Sequence, residues 1–366
     1  MSIKRTLLEP FHTPSLHLRN RVAMAPMSRR RSKKGIPGPS TAIYYGQRAG
    51  AGLIIAENTA VAPNGIGYLH TPGIYNEAQK AGWKRVTDEV HRKGGKIVMQ
   101  LVHAGRIGHP VNHEDGSPLV APSAVRATGS IRTLNHGHLP IPEPEGLSTE
   151  GAKALVNAHI QAAIHAVEAG FDGVEIHGAH GFLPEQFLHP LTNRRTDRYG
   201  GSIANRSRFL LEIMEGVVAA IGKERTGIRL SPFATINDLP AYEEEKATHE
   251  YIIDALHEMD ILYIHLSDQP VNGKPSITPG YVKEVRERFP NLLILAGGYT
   301  ADSAEAVLQA GQADLIAFGR PFIANPDLVE RFRYGTSLAP GDKDTYYQGG
   351  DKGYIDYPAV YDTPVV

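Results

Sequence analysis

The sequence predicts one TIM-type (β/α)8 barrel over residues 1–366. Three observations carry that prediction: eight short apolar runs, amphipathic segments between them, and no linker that divides the chain. The runs begin at Arg21 (RVAMAPM), Gly52 (GLIIAENTAV), Lys96 (KIVMQLVHA) and Gly173 (GVEIHGAH). They continue at Thr226 (TGIRLSPF), Ile261 (ILYIHLSD), Leu292 (LLILAGG) and Leu315 (LIAFGRPF). They are too short for helices and lack the alternation of half-exposed strands, as expected of strands buried on both faces. Between them, Val156, Ile160, Ala163, Ile164 and Val167 share one helical face, and Gly170 supplies a stop. Phe209, Leu210, Ile213, Met214 and Val217 repeat the pattern. Thr278-Pro279 and Asn325-Pro326 read as N-cap followed by first helical residue. A doubly wound open sheet is the alternative, but MAPMSRRR after the first strand lacks the Gly-rich turn of that fold.

The long stretch from Gly105 to Leu147 follows the third strand and reads as irregular, a functional loop or a cover. The C-terminal tail carries Tyr346, Tyr347, Tyr354, Tyr357 and Tyr361. It either packs on the barrel wall or lends a tyrosine to the active face.

Composition narrows the function. The 38 basic and 39 acidic residues nearly cancel, so no footprint for nucleic acid or an anionic membrane is present. The run from Arg29 to Lys34 reads as a solvated loop rather than a polyanion site. With no cysteine, disulfides, thiolate nucleophiles and Cys-ligated metals are excluded. The N-terminus has no long apolar core and no stretch is long enough to span a membrane, so a cytoplasmic enzyme is expected.

In a barrel of this type the C-terminal strand ends feed the active site. Gly297-Gly298 ends the seventh run, and Thr300 and Asp302 can cap the helix beyond it. Gly319-Arg320 ends the eighth. Paired glycines admit an anion close to backbone N–H groups, and arginine adds positive potential, which reads as a phosphate site. By itself this says only that the ligand is phosphorylated. His177 and His180 end the fourth run. They could bind a metal, but a metal site wants three or more ligands; otherwise they are a pair of N–H donors gripping one acceptor oxygen, or loop caps. Arg229 needs a partner in its apolar strand, which a ligand anion would provide. Gln100 can donate and accept together, which suits a planar heterocycle.

At these residues the sequence resembles the Old Yellow Enzyme family of FMN-dependent ene-reductases. The resemblance runs from LRNRVAMAPMSR through IVMQLVHAGR, GVEIHGAHGFLPEQFLHPLTNRRTDRYGGSIANRSRFLLEI and GIRLSP to IAFGRPFIANPDLV and the tail GGDKGYIDYP. It implies FMN as bound cofactor, NADPH or NADH as reductant, and no metal. Pro26, Met27 and Ser28 would lie at the isoalloxazine ring, with Ala60 and Gln100 along its pyrimidine edge. Arg229 would face N1 and O2, and Gly297, Gly298, Gly319 and Arg320 would hold the phosphate. His177 and His180 would bind the oxygen of the acceptor, matching a bacterial His-x-x-His subset, and Tyr68 and Tyr347 would shape the pocket. The implied reaction is ping-pong. Hydride passes from NAD(P)H by way of FMN to Cβ of an electrophilic alkene, an α,β-unsaturated carbonyl or nitro compound, and a proton reaches Cα. A monomer or homodimer is expected.

Three residues depart from the family pattern. Phe182 stands where most members have the tyrosine that donates the final proton. Val102 replaces a bulky residue and should leave room for bulky enones. Ser28 replaces threonine, a loss of one methyl group. Other readings stay open: a relative acting on nitro compounds or in oxidative desaturation, a metal-dependent hydrolase, and a flavin-binding protein with weak turnover.

Overall fold

The computed structural model describes residues 5–361. Eight strands close into one parallel barrel. They are β1 (Val22–Met24), β2 (Leu53–Ala60), β3 (Ile97–Val102), β4 (Gly173–Gly178), β5 (Thr226–Leu230), β6 (Tyr263–Ser267), β7 (Leu292–Ala296) and β8 (Leu315–Phe318). Each falls inside one of the eight predicted runs. The closing seam pairs Ile316, Ala317 and Phe318 of β8 with Val22, Ala23 and Met24 of β1. Outside the barrel lie α1 (Pro39–Gln47), α2 (Glu77–Arg92), α3 (Thr149–Glu168) and α4 (Ile203–Ile221). They are followed by α5 (Glu245–Glu258), α6 (Pro279–Arg288), α7 (Ala301–Gln309) and α8 (Leu328–Tyr334).

Successive strand side chains point to opposite faces, and the core divides accordingly. Leu53 and Ile55 join Ala23, Val98, Ile294 and Leu315 inside the barrel. Ile54, Met99, Val174 and Leu293 face outward, in one cluster with Trp83, Val86, Phe209, Ile213 and Val217 of the helices. Each such side chain fully buried stabilises the fold by roughly 1.5–3 kcal/mol. A two-stranded hairpin, Phe11–His12 with His17–Leu18, lends Leu16 and Leu18 to the inner cluster. Gly227 is required inside the barrel, because a Cβ there would sit 2.3 Å from the Tyr263 ring.

The predicted caps hold in part. Thr278 accepts from the Tyr281 N–H with Pro279 at the start of α6, and Thr300 forms a capping box with Ser303 on α7. Gly170, at φ 91°, follows the end of α3. Asn325 does not cap: α8 begins at Leu328, after Asp327. The Asn325 side chain instead donates to the carbonyls of Pro321 and Ala339 and accepts from the Ala339 N–H.

Two loop readings are corrected. The stretch after β3 is not irregular throughout. It carries a hairpin, Ser130–Thr133 with Gly137–Pro140, and Val120–Ala121 pairs with Glu145–Gly146. Its Ile107, Leu119, Ile131 and Ile141 form a small core with Val102 and Phe182, against which Tyr68 packs. The basic run is not solvated at its first residue: Arg29 is 0% exposed. It donates to the carbonyls of Tyr346 (3.0 Å) and Gly353 (2.7 Å) and lies over the rings of Tyr44 and Tyr354. Arg31 donates to the carbonyls of Thr345 (2.6 Å) and Tyr346 (3.1 Å). The run therefore pins the C-terminal tail to the barrel. Both readings of the tail apply to different tyrosines. Tyr354 is buried and stacked on Tyr44 at 4.3 Å, and Tyr347 reaches the active face.

No helix among the described residues is long and apolar enough to cross a membrane.

Candidate active site

A cavity of about 620 Å³ opens at the C-terminal ends of the strands. Its wall takes Pro26, Met27 and Ser28 after β1, His177, His180 and Phe182 from and after β4, and Arg229 of β5. Gly297 and Gly298 after β7, Gly319 and Arg320 after β8, and Tyr68 and Tyr347 complete the predicted set that lines it. Three predicted residues do not line it. From β2 the wall takes Asn58 rather than Ala60; Asn58 sits in a register shift between Ala56 and Thr59. Gln100 is fully buried within the barrel. Val102 packs into the small core of the long loop.

His177 and His180 come together, their ring centroids 5.1 Å apart and their planes near perpendicular. Burial, reinforced by the Arg229 charge, holds both imidazoles well below their usual range. Both rings are neutral at pH 7, and each has one N–H to offer. Nδ1 of His177 is buried with no partner. Nε2 of His180 lies 2.9 Å from the Ser267 hydroxyl.

The turn that carries His180 is held from below. His180 sits at φ 59°, a left-handed conformation that a non-glycine residue adopts at a cost. Its N–H donates to Oγ of Ser231 (2.9 Å), and its carbonyl accepts from Asn237 (2.8 Å). Glu185 accepts from the Gly181 N–H and from Ser231 (3.2 Å). Burial pushes its carboxyl up to about 8.

Beneath the cavity lies a polar network. Oε1 of Glu175 accepts from Gln100 (2.6 Å), and Oε2 contacts Nδ1 of His265 (2.8 Å). Arg229 stands next to it in register, between His177 of β4 and His265 of β6. Burial lowers its guanidinium to about 10, with the Glu175 charge opposing that shift, so it stays cationic at neutral pH. Glu175 and His265 were not singled out by sequence reasoning. The available signal was a charged or titratable residue in mid-strand, in GVEIHG and YIHLS.

The cavity fits FMN on its own atoms. Nε of Arg229, Oε1 of Gln100 and Nδ1 of His177 are all buried without partners, an unusual concentration of unused hydrogen-bonding capacity. Gly298, at φ 74°, is open, with no atom within 4 Å of where a Cβ would stand. Arg320, beside Gly319 on the same wall, is exposed. Among the described residues no group of three or more His, Asp or Glu could hold a metal ion.

Comparisons with known proteins agree with this geometry. Residues 6–339 match the profile of the NADH:flavin oxidoreductase / NADH oxidase family. The chain is 38% identical to 12-oxophytodienoate reductase 7 of Oryza sativa subsp. japonica, over 96% of this chain and 94% of that one. It is also 38% identical to a probable flavin mononucleotide-dependent alkene reductase of Leishmania infantum, over 96% and 97% of the two chains. Morphinone reductase superimposes with a TM-score of 0.93 at 45% identity, covering 97% of this chain and 96% of that one. An old yellow enzyme homologue from Zymomonas mobilis gives 0.91 at 38% identity, covering 96% and 99%. With its barrel, its paired histidines and a family match over nearly the whole chain, this protein belongs to the NADH:flavin oxidoreductase / NADH oxidase family and is an Old Yellow Enzyme-type oxidoreductase.

Proposed function

We propose that this chain is an FMN-dependent ene-reductase that reduces electrophilic alkenes, α,β-unsaturated carbonyl or nitro compounds, with NADPH or NADH as the source of hydride. One observation carries the reading: two neutral histidines, 5.1 Å apart, face a cavity under which Arg229 and Gln100 hold unpartnered polar atoms. Arg229 and Gln100 would hold the pyrimidine side of FMN. Pro26, Met27, Ser28 and Asn58 would line the rest of its ring, and Gly297, Gly298, Gly319 and Arg320 would hold its phosphate. FMN supplies the hydride chemistry when bound.

The protein's own part is orientation and electrostatics. One N–H from each of His177 and His180 would grip the carbonyl or nitro oxygen, most strongly as it gains negative charge. Because burial keeps both rings neutral, they polarise the acceptor without first losing a proton. Arg229 would stabilise negative charge gathering on the ring system below. Phe182, against His177 at 4.9 Å, has no proton to give to Cα.

The test is direct. The purified protein should be yellow, with flavin absorbance that bleaches anaerobically with NADPH or NADH and returns on adding an enone or nitroalkene. A colourless protein overturns the reading. Bleaching without reoxidation by any acceptor leaves a flavin-binding protein with lost turnover, the second reading that Phe182 favours.

A further inference from the structure

The basic run contains one arginine that donates to no carbonyl of the tail and meets it through the Tyr347 ring. Arg30 lines the cavity, held at φ 56° in the left-handed region. Its guanidinium carbon lies 4.3 Å from the Tyr68 ring centroid and 5.3 Å from that of Tyr347. Its Nε is buried without a partner. A second cation, Arg132, acts on it, and among the described residues no carboxylate pairs with it. Arg30 is half-buried, and two aromatic faces offset only part of the cost of desolvating its cation. The remainder calls for an anion, and the cavity is where one can enter.

The wall between Arg30 and the histidines is aromatic. Tyr68 packs edge-on against Phe182 at 6.4 Å, and Phe182 against His177 at 4.9 Å. An extended ligand with its oxygen at the histidine pair would lie along this wall, its far end at Arg30. We propose that Arg30 receives an anionic group, a carboxylate or a phosphate, on a ligand that spans the cavity from His177 and His180. The assignment of the near end rests on the ene-reductase reading; the anion site itself does not. Such a group has two sources, a carboxylate on the acceptor or a phosphate of the nicotinamide reductant.

Calorimetry on the FMN-loaded full chain separates them without turnover. The probes are a cyclohexanone bearing a carboxyalkyl chain, its methyl ester, and tetrahydroNAD, a non-reducing dinucleotide. If the acceptor supplies the anion, wild type binds the acid about tenfold or more tightly than the ester. Arg30→Leu then abolishes that gap while leaving the ester's affinity within about twofold, and Arg30→Lys retains part of it. If the reductant supplies it, Arg30→Leu weakens tetrahydroNAD about tenfold and the acid and ester bind alike throughout. The proposal is overturned if Arg30→Leu changes none of these affinities, or weakens acid and ester equally without affecting tetrahydroNAD. Arg30→Lys guards against a variant that fails to fold. An anion preference at Arg30 in an enzyme that reduces no enone would place the failure in the proposed reaction, not here.

Discussion

The floor of the cavity and its rim are built differently. The floor is made of strand residues: His177 and Arg229 face the cavity, and Gln100, Glu175 and His265 lie beneath it, all buried and linked by strand register. The rim is made of segments distant in sequence: the arginine run, Tyr68 after β2, Asn237 after β5, Gln269 after β6 and the tail. Arg29 meets Gly353 across 324 positions. On the floor, a residue's place in a strand fixes its environment. On the rim, environment depends on which distant segment docks, and charge alone misleads.

The largest expected effect belongs to the barrel and its helices, not to the rim. Burial lowers His159 and His249 to about 4 and holds His103, His177 and His180 well below their usual range. In the unfolded chain they bind protons near pH 6.5. Their contribution is therefore full above about pH 6.5, and it is lost as pH falls toward about 4, where only the unfolded state is protonated. For His159 and His249 that is on the order of 3 kcal/mol each. Denaturant melts from pH 7 to 4 should show stability falling steeply below about 6.5. A flat profile would mean these imidazoles are not buried neutral.

Next is Arg229→Leu. It leaves Glu175 buried without the neighbouring cation, which destabilises the polar network beneath the cavity. It should also release flavin, read as loss of yellow colour after gel filtration. Arg229→Lys should retain more of both. Full flavin retention in the leucine variant would remove Arg229 from the cofactor site.

On the rim, Arg29→Leu deletes two hydrogen bonds from a buried cation, with a cost of about 3 kcal/mol. The measurement is limited proteolysis, which should cut near Tyr346 to Tyr354 in the variant and spare the wild type. Equal resistance would mean the tail is held by other contacts, such as Asp327 with the Val360 N–H at 2.7 Å.

Phe182 joins the two regions. Phe182→Tyr restores a proton source beside His177, and stopped flow should show the oxidative half-reaction accelerating about 10²-fold. No acceleration would mean that proton delivery to Cα does not limit the wild type.

Legibility in the sequence follows the same division. All eight strands were readable because burial on both faces leaves continuous apolar runs, and strand ends located most of the cavity wall. The irregularity of β2 between Ala56 and Thr59 is not legible, because ENTAV carries no marker of a bulge. Glu175 was passed over because its partners, Gln100 and His265, lie on other strands. The burial of Arg29 is not legible, because its acceptors are backbone carbonyls, which carry no sequence signal.

The smallest effect tests the border between the regions. Val102 is the last residue of β3 and 3% exposed. From sequence, Val102→Trp should fill the pocket and narrow the range of enones. In the structure Val102 packs with Ala104, Ile107 and Leu119 under the long loop, so a tryptophan there overpacks a small core. The expected cost is about 1–3 kcal/mol of stability, with the acceptor range unchanged. A narrowed range at unchanged stability would return Val102 to the cavity wall. The end of β3 would then belong with the end of β4, and the floor would extend under the loop that now covers it.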